Sequence, residues 1–178
     1  MKSLIKKLLR EGIEGTNLGL LQTSDYLILI DTETKKIIGV VAYEKVGQDL
    51  YHVPAIASEK GYGLMLYNIV MSIVSPNYII TDRDSSTTQS AVNVLKKMTQ
   101  DPNIEFEHLD KSDSNYFFFK NESDEYNLLV NTKFKAKNPM DISKLKQNGE
   151  SFRETVDIDD DDLSTKAFKF FSKKLNAS

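Results

Sequence analysis

The sequence predicts an α/β (α+β) fold in which helices flank a mixed, mainly antiparallel sheet. Residues 26–31 and 37–45 are two runs of apolar residues, and the polar turn between them predicts an antiparallel hairpin. Residues 64–74 are apolar on nearly every side, which is typical of a helix that the rest of the fold covers. This helix lies between a predicted strand at residues 51–57 and a short apolar run at residues 78–81, which is typical of a central strand. A further helix ending near residue 98 and two more strands, at residues 104–109 and 116–120, complete the pattern.

Length and composition limit the class of protein. The chain has 178 residues, which suits one domain, or one domain with a tail. The net charge of −3 argues against a protein built mainly to bind nucleic acid, and no apolar run is long enough to span a membrane. The absence of cysteine excludes a disulfide, a zinc–thiolate site and a cysteine nucleophile, and it fits a reducing cytoplasm. We expect a cytoplasmic protein, because the apolar region and cleavage site of a secretion signal do not follow residues 1–10.

Both ends of the chain carry amphipathic patterns. Residues 3–11 predict a helix that packs on the sheet, or alternatively a membrane-surface or partner helix, and Gly12, Gly15 and Gly19 then predict a loop. Near the other end, residues 163–175 predict a helix with one apolar face, which we expect to pack on the sheet of the same chain or on a second copy in a homodimer. Residues 128–136 are predicted as a final strand or an extended segment, and residues 140–147 as a short helix.

An acidic run at residues 157–162 precedes the last predicted helix. Its negative charge suits a helix N-terminus, where the macrodipole favours carboxylates. The alternative is a calcium loop, but an EF-hand would need glycine in place of Asp162 and glutamate in place of Phe168. We therefore predict no metal site.

The segment at residues 58–63 has the pattern of an anion-binding turn. It reads Ser-Glu-Lys-Gly-Tyr-Gly and connects a predicted strand to the start of a predicted helix. The first amides of a helix have no partner inside it, and glycine lets a phosphate approach the backbone closely. Lys60 adds a positive charge beside Gly61 and Gly63. The alternative is a plain strand-to-helix turn that uses glycine for its φ angles.

The order of these elements resembles the GNAT superfamily of N-acyltransferases over residues 26–120. The family's signature is Arg or Gln, two residues, Gly, one residue, then Gly or Ala, between its fourth strand and third helix; Gly61 and Gly63 match it, whereas Ser58 departs from it. After the fifth strand the family often has Asn-x-x-Ala, where this chain has Thr88-Gln89-Ser90-Ala91. Where many members have a helix tyrosine near the thiol, this chain has Leu95. The blocks around residues 60–72 and 81–86 are also similar to GNAT-like proteins of bacteriophages, most of which have no assigned activity.

The resemblance implies a domain at residues 1–120 that binds acetyl-CoA as co-substrate, followed by a C-terminal extension at residues 121–178. It also implies that the fourth and fifth strands splay apart to admit the pantetheine arm, and Pro54 suits such a strand because it removes a ladder donor. By position, the cofactor would contact Ile56, Ala57, Ser58, Lys60, Gly61, Tyr62, Gly63, Leu64 and Thr88.

Acyl transfer to an amine needs a base and a proton for the departing thiolate. His52 on the proposed fourth strand and Glu44 on the third strand are the candidate bases, Asp82 and Tyr116 are further candidate catalytic groups, and Arg83 and Ser85 are candidate substrate contacts. Asp82 and Arg83 follow the carboxyl end of a central strand, where ligands of open sheets tend to lie. The alternative for each of these residues is an ordinary surface, cap or sheet position.

Two functions stay open from the sequence. The first is an acyl-CoA-dependent N-acyltransferase with a small-molecule or protein amine as acceptor, and the resemblance to bacteriophage proteins implies a phage genome as one source. The second is a catalytically degenerate GNAT-like binding or virion-associated module. Intact Gly61 and Gly63 favour the first, and the departures at Ser58, Thr88 and Leu95 favour the second. If the chain is phage-encoded, the host cytoplasm is the expected location, and a place in the virion is the alternative.

Overall fold

The computed structural model describes residues 16–81 and 88–176. Within these ranges the chain forms seven strands and five helices. The strands are β1 Leu18–Gln22, β2 Leu27–Asp31, β3 Lys36–Lys45, β4 Leu50–Ser58, β5 Tyr78–Thr81, β6 Ile104–His108 and β7 Thr132–Ala136, and the helices are α1 Gly63–Val74, α2 Gln89–Thr99, α3 Asp124–Val130, α4 Ser143–Val156 and α5 Asp160–Asn176. The helix predicted over residues 3–11 lies outside the described residues.

The seven strands form one sheet in the order β1-β2-β3-β4-β5-β7-β6. Neighbouring strands are antiparallel in the pairs β1–β2, β2–β3, β5–β7 and β6–β7, whereas β4 and β5 are parallel. The α1 helix connects the two parallel strands, as a crossover of this kind requires. The predicted mixed, mainly antiparallel sheet flanked by helices is confirmed.

The β4–β5 ladder is short. Within the described residues its register runs from Leu50 opposite Tyr78 to Val53 opposite Thr81. The two strands are therefore paired, not separated, over residues 50–53. Beyond Pro54 the separation stays a prediction.

Three elements differ from the sequence-based expectations. Gly19 lies in β1 rather than in a loop; a Cβ there would be 2.9 Å from the Gly149 nitrogen, so the strand needs glycine at this point of close packing. Residues 116–119 form neither helix nor strand, because side chains rather than a neighbouring strand bond their backbone. Residues 128–136 begin in α3 and continue into β7, which lies between β5 and β6 in the sheet.

The chain divides into two compact units. Of the described residues, the first comprises 16–42, 55–69 and 140–176. Its core contains Ile28 and Ile30 of β2, Val40 of β3, and Leu163 and Ala167 of α5, all at most 3% exposed. The last helix therefore packs on the sheet of its own chain, which is one of the two predicted arrangements. The acidic residues Asp160, Asp161 and Asp162 form its first turn, and the Asp159 carboxylate accepts a hydrogen bond from the Asp162 N–H at 2.8 Å.

The second unit comprises, of the described residues, 43–54, 70–81 and 88–139. Its fully buried side chains include Met71 of α1, Ile79 of β5, Leu95 and Met98 of α2, and Phe134 of β7. Leu95, which stands where many GNAT proteins have a tyrosine, is a core residue here. Whether residues 1–120 act as an acyl-CoA-binding domain stays a prediction.

Candidate functional site

The turn between β4 and α1 lies in the first unit and is closed by two backbone hydrogen bonds. The Glu59 N–H donates to the Ile38 carbonyl at 2.8 Å, and the Tyr62 N–H donates to the Glu59 carbonyl at 3.2 Å. Gly61 has a φ of 98°, a conformation that residues with a Cβ rarely adopt. The shape of the turn therefore requires glycine at this position.

The α1 helix begins directly after this turn. The Leu66 N–H donates to the Tyr62 carbonyl at 3.0 Å, so the N–H groups of Gly63, Leu64 and Met65 precede the first intrahelical donor and have no acceptor within the helix. The first turn of the helix contains no acidic residue that would compete with an incoming anion. The helix start thus offers backbone donors and the positive end of the macrodipole. Lys60, which is exposed, adds a cation to the same turn.

An ion pair with the last helix fixes the first residue of the turn. Lys174 Nζ lies 2.7 Å from Glu59 Oε2 and 5.5 Å from the centre of the Phe170 ring. This contact balances the negative charge of Glu59. Lys60 therefore lies next to a carboxylate whose charge Lys174 already balances.

The β4 strand is more accessible than its place in the sheet suggests. It is fourth in the order of seven strands, yet only Val53 among its nine residues is buried, whereas β2 has four buried residues among five. The predicted cofactor residues Ile56, Ala57 and Ser58 form the end of β4 and are half-buried. A strand inside a sheet that is covered on both faces would be buried along its length. The β4 strand thus leaves surface available for a ligand.

The two predicted bases meet in the second unit. His52 Nδ1 lies 3.4 Å from Glu44 Oε1; the histidine side chain is 21% exposed and the glutamate side chain 64%. A carboxylate on one ring nitrogen sets the orientation and tautomer of a histidine. This arrangement suits a general base, with Glu44 orienting and His52 accepting the proton.

Two tyrosines lie on the same pair of strands. The ring centres of Tyr43 and Tyr51 are 6.3 Å apart, and Lys45 Nζ lies 5.9 Å from the centre of the Tyr51 ring. Burial, together with the nearby Tyr51, raises the pKa of Tyr43 above its ordinary value. Tyr43 therefore keeps its proton through the physiological range. Neither tyrosine was predicted as a site residue, although each is adjacent in sequence to a predicted base, Tyr43 to Glu44 and Tyr51 to His52.

The structure gives Thr88 a local role. Its side chain accepts a hydrogen bond from the Ala91 N–H at 3.2 Å and caps the N-terminus of α2. Tyr116 is half-buried at the start of the irregular segment, where its N–H donates to the Asp113 carbonyl at 2.9 Å. Asp82, Arg83 and Ser85 lie outside the described residues.

Thr81 was not predicted as a site residue either. This last residue of β5 is 2% exposed, and its buried hydroxyl has no hydrogen-bond partner among residues 16–81 and 88–176. A buried hydroxyl without a partner costs free energy, so it is typical of a strained or ligand-binding position. The available signal was its place as the one polar residue in the apolar run Tyr78–Thr81.

Comparison of this chain with protein-family models, with curated proteins and with solved structures finds no match. Within residues 16–81 and 88–176, no group of three or more histidine and acidic side chains is placed to hold a metal ion. No helix in the described part of the chain combines the length and apolar character that crossing a membrane requires.

Proposed function

We propose that this protein is a GNAT-like, acyl-CoA-dependent N-acyltransferase, which transfers an acyl group, acetyl in the simplest case, to an amine. The observation that carries the proposal is the glycine turn between the fourth strand and the helix that follows it. Among the described strands Leu50–Ser58 is the fourth, and the family's signature follows its fourth strand, which supports the proposal. The glycines of the signature, Gly61 and Gly63, fall in the turn and at the helix start.

The turn would bind the pyrophosphate of coenzyme A. The amides of Gly63, Leu64 and Met65 are oriented at the positive end of α1, and a phosphate accepts hydrogen bonds from such groups. Lys60 would add a charge-assisted contact. The half-exposed residues at the end of β4 leave room for the cofactor's arm beside the strand.

His52 would remove a proton from the acceptor amine while Glu44 holds its ring. The amine nitrogen attacks the thioester carbonyl carbon; the C–N bond forms, the C–S bond breaks and the thiol of coenzyme A leaves with a proton. A positioned base of this kind contributes roughly 10²–10⁴-fold to a rate. We therefore expect loss of His52 to lower turnover without abolishing cofactor binding.

A binding module that has lost catalysis is the second candidate, and two observations favour it. Leu95 is fully buried and cannot donate a proton. The Thr88 hydroxyl is engaged in capping α2, and Ser58 lacks the long polar side chain of the signature. The departure at Leu95 concerns catalysis, whereas Ser58 and Thr88 stand at positions where the resemblance implies cofactor contacts.

Isothermal titration calorimetry with acetyl-CoA tests the cofactor. We expect the parent chain to bind and Gly61→Val to lose at least tenfold in affinity, since valine is strained at a φ of 98°. Gly47→Val is the matched control: it changes a turn glycine whose added Cβ meets only the Leu50 Cβ, at 3.4 Å, and it should bind as the parent does. No binding by the parent at about millimolar acetyl-CoA, or equal binding by Gly61→Val, would overturn the assignment.

Release of the thiol of coenzyme A in the presence of a panel of amines then separates the two candidates. An enzyme should show amine-dependent release that His52→Gln reduces, with cofactor affinity retained. Binding without release under any amine would favour the module.

A further inference from the structure

Two buried asparagines of the second unit hold an extended segment against a helix. The Phe117 N–H donates to Asn131 Oδ1 at 2.8 Å, and Asn131 Nδ2 donates back to the Phe117 carbonyl at 2.6 Å. Asn127 bonds the N–H and carbonyl of Phe119 in the same way, at 2.7 and 3.0 Å. Both asparagines are at most 4% exposed. Each asparagine side-chain amide thus makes the two backbone hydrogen bonds that a neighbouring strand would otherwise make.

The spacing explains why this arrangement fits. Residues four apart in a helix are separated by about 6 Å along its axis. Residues two apart in an extended chain are separated by about 6.7 Å. Asn127 and Asn131 can therefore pair with alternate residues only if residues 117–119 are extended and run antiparallel to α3.

This pairing leaves the backbone of Phe118 without a partner. In an extended chain the N–H and C=O groups of alternate residues point to opposite sides. Since Phe117 and Phe119 face the asparagines, Phe118 faces away, and within the described residues its N–H and C=O have no hydrogen-bond partner. The side chains of Phe117 and Phe118 are 51% and 58% exposed. Residues 116–120, which we call the Phe118 edge, belong to no strand but present a short unpaired backbone edge beside the exposed Phe117 and Phe118 side chains, and such edges readily pair with another chain.

We propose that the occupant of the Phe118 edge is the Phe118 edge of a second copy, paired antiparallel about Phe118. Residues 115–121 read Asn-Tyr-Phe-Phe-Phe-Lys-Asn, which is nearly symmetric about its centre. Antiparallel pairing places Phe117 opposite Phe119 and the Tyr116 ring opposite the Lys120 ammonium.

Charge and backbone chemistry favour this register. Opposed Tyr116 and Lys120 can form a cation–π contact, and no like charges face each other; parallel pairing would instead bring the two Lys120 side chains together. The two Phe118 residues exchange both of their backbone bonds, and the Lys120 N–H donates to the Tyr116 carbonyl of the second copy. Because the edge is short, the area that it buries falls below the usual range of about 1,200–2,000 Å². The dimer is therefore reversible and depends on concentration.

Single-cysteine crosslinking tests the register, because the chain contains no cysteine. In Phe118→Cys the two thiols would lie on residues whose Cα atoms are about 5.5 Å apart. In Lys120→Cys the two thiols would be offset by four residues along the strands, about 13 Å. We expect a short thiol-to-thiol reagent to crosslink Phe118→Cys, and an equimolar mixture of Tyr116→Cys and Lys120→Cys, but not Lys120→Cys alone. The control Phe168→Cys changes a phenylalanine that is 59% exposed on another element and should not crosslink.

Sedimentation velocity on the unmodified full chain supplies the second test. We expect a reversible dimer that grows with concentration, that Phe118→Lys abolishes and that Phe168→Lys retains, while circular dichroism melting confirms that both variants fold. Equal crosslinking of Phe118→Cys, Lys120→Cys and Phe168→Cys would indicate random collision and overturn the proposal. A parent chain that stays monomeric at every concentration would also overturn it, and the edge would then serve an extended peptide of another protein.

Discussion

Replacing Gly149 by alanine should destabilise this protein, although alanine is the better helix former. Gly149 lies in α4, where glycine costs up to about 1 kcal/mol relative to alanine. A Cβ at this position would lie 2.1 Å from the Leu20 carbonyl oxygen and 2.6 Å from the Leu20 carbonyl carbon of β1. Both atoms belong to the backbone, so the contact cannot be relieved by a side-chain rotation.

The size of the effect follows from the distance that the helix must move. Non-bonded carbon atoms reach their best contact at about 3.5–4.0 Å, so α4 must withdraw from β1 by about 1 Å or more. A gap of that size loses a quarter to a half of the dispersion energy of the facing atoms. It would also stretch the bond from Asn148 Nδ2 to the Leu18 carbonyl, now 2.8 Å. Overpacking of this kind costs about 1–3 kcal/mol or more, which exceeds the gain in helix propensity.

Thermal unfolding followed by circular dichroism measures the outcome. We expect a net loss of about 1–2 kcal/mol, and for a chain of this size a fall in melting temperature of about 2–8 °C. Gly39→Ala should cost less, because the nearest atom to its Cβ, at 2.6 Å, is the end of the Leu66 side chain. Gly47→Ala, whose Cβ would meet only the Leu50 Cβ at 3.4 Å, should be close to neutral. A melting temperature for Gly149→Ala equal to or above that of the parent would refute this account of the α4–β1 contact.

The other predictions concern the last helix and Tyr78, the first residue of β5. Leu163→Ala should lower the free energy of unfolding in urea by about 2–4 kcal/mol, because Leu163 is 2% exposed in the core. Phe168→Ala should change it by less than about 0.5 kcal/mol, because Phe168 is 59% exposed. Equal effects of the two substitutions would mean that α5 does not pack by the face that carries Leu163. Burial and the hydrogen bonds to Glu107 and Glu105 raise the pKa of Tyr78 to about 12, so its proton is bound more tightly in the folded state than in the unfolded state. The stabilisation is complete below a pH of about 10 and is lost as the pH rises to about 12, and Tyr78→Phe should flatten that part of the pH dependence of unfolding. If Tyr78→Phe leaves the pH dependence of unfolding unchanged, other groups cause the loss of stability at alkaline pH.

The sequence by itself determined the elements whose signal is local. The Tyr78–Thr81 strand was predicted with its observed bounds, and the hairpin of β2 and β3 and the buried helix α1 were predicted to within a few residues. Period, apolar content and turn residues specify such elements because they act between near neighbours in the chain. The glycine turn was predictable for the same reason, since a positive φ at Gly61 is a local requirement.

Only the tertiary structure decided the elements that depend on distant residues. Gly19 weakens a strand by its local preference, yet it lies in β1 because the α4 backbone packs directly against it. Residues 116–119 have the apolar pattern of a strand, but two side-chain amides from α3 take the backbone bonds that a strand would supply. The same distinction holds at the candidate site: the sequence proposed His52 and Glu44 separately, and their pairing at 3.4 Å depends on which strands become neighbours. Local interactions determine which elements form, whereas long-range contacts determine which residues those elements bring together.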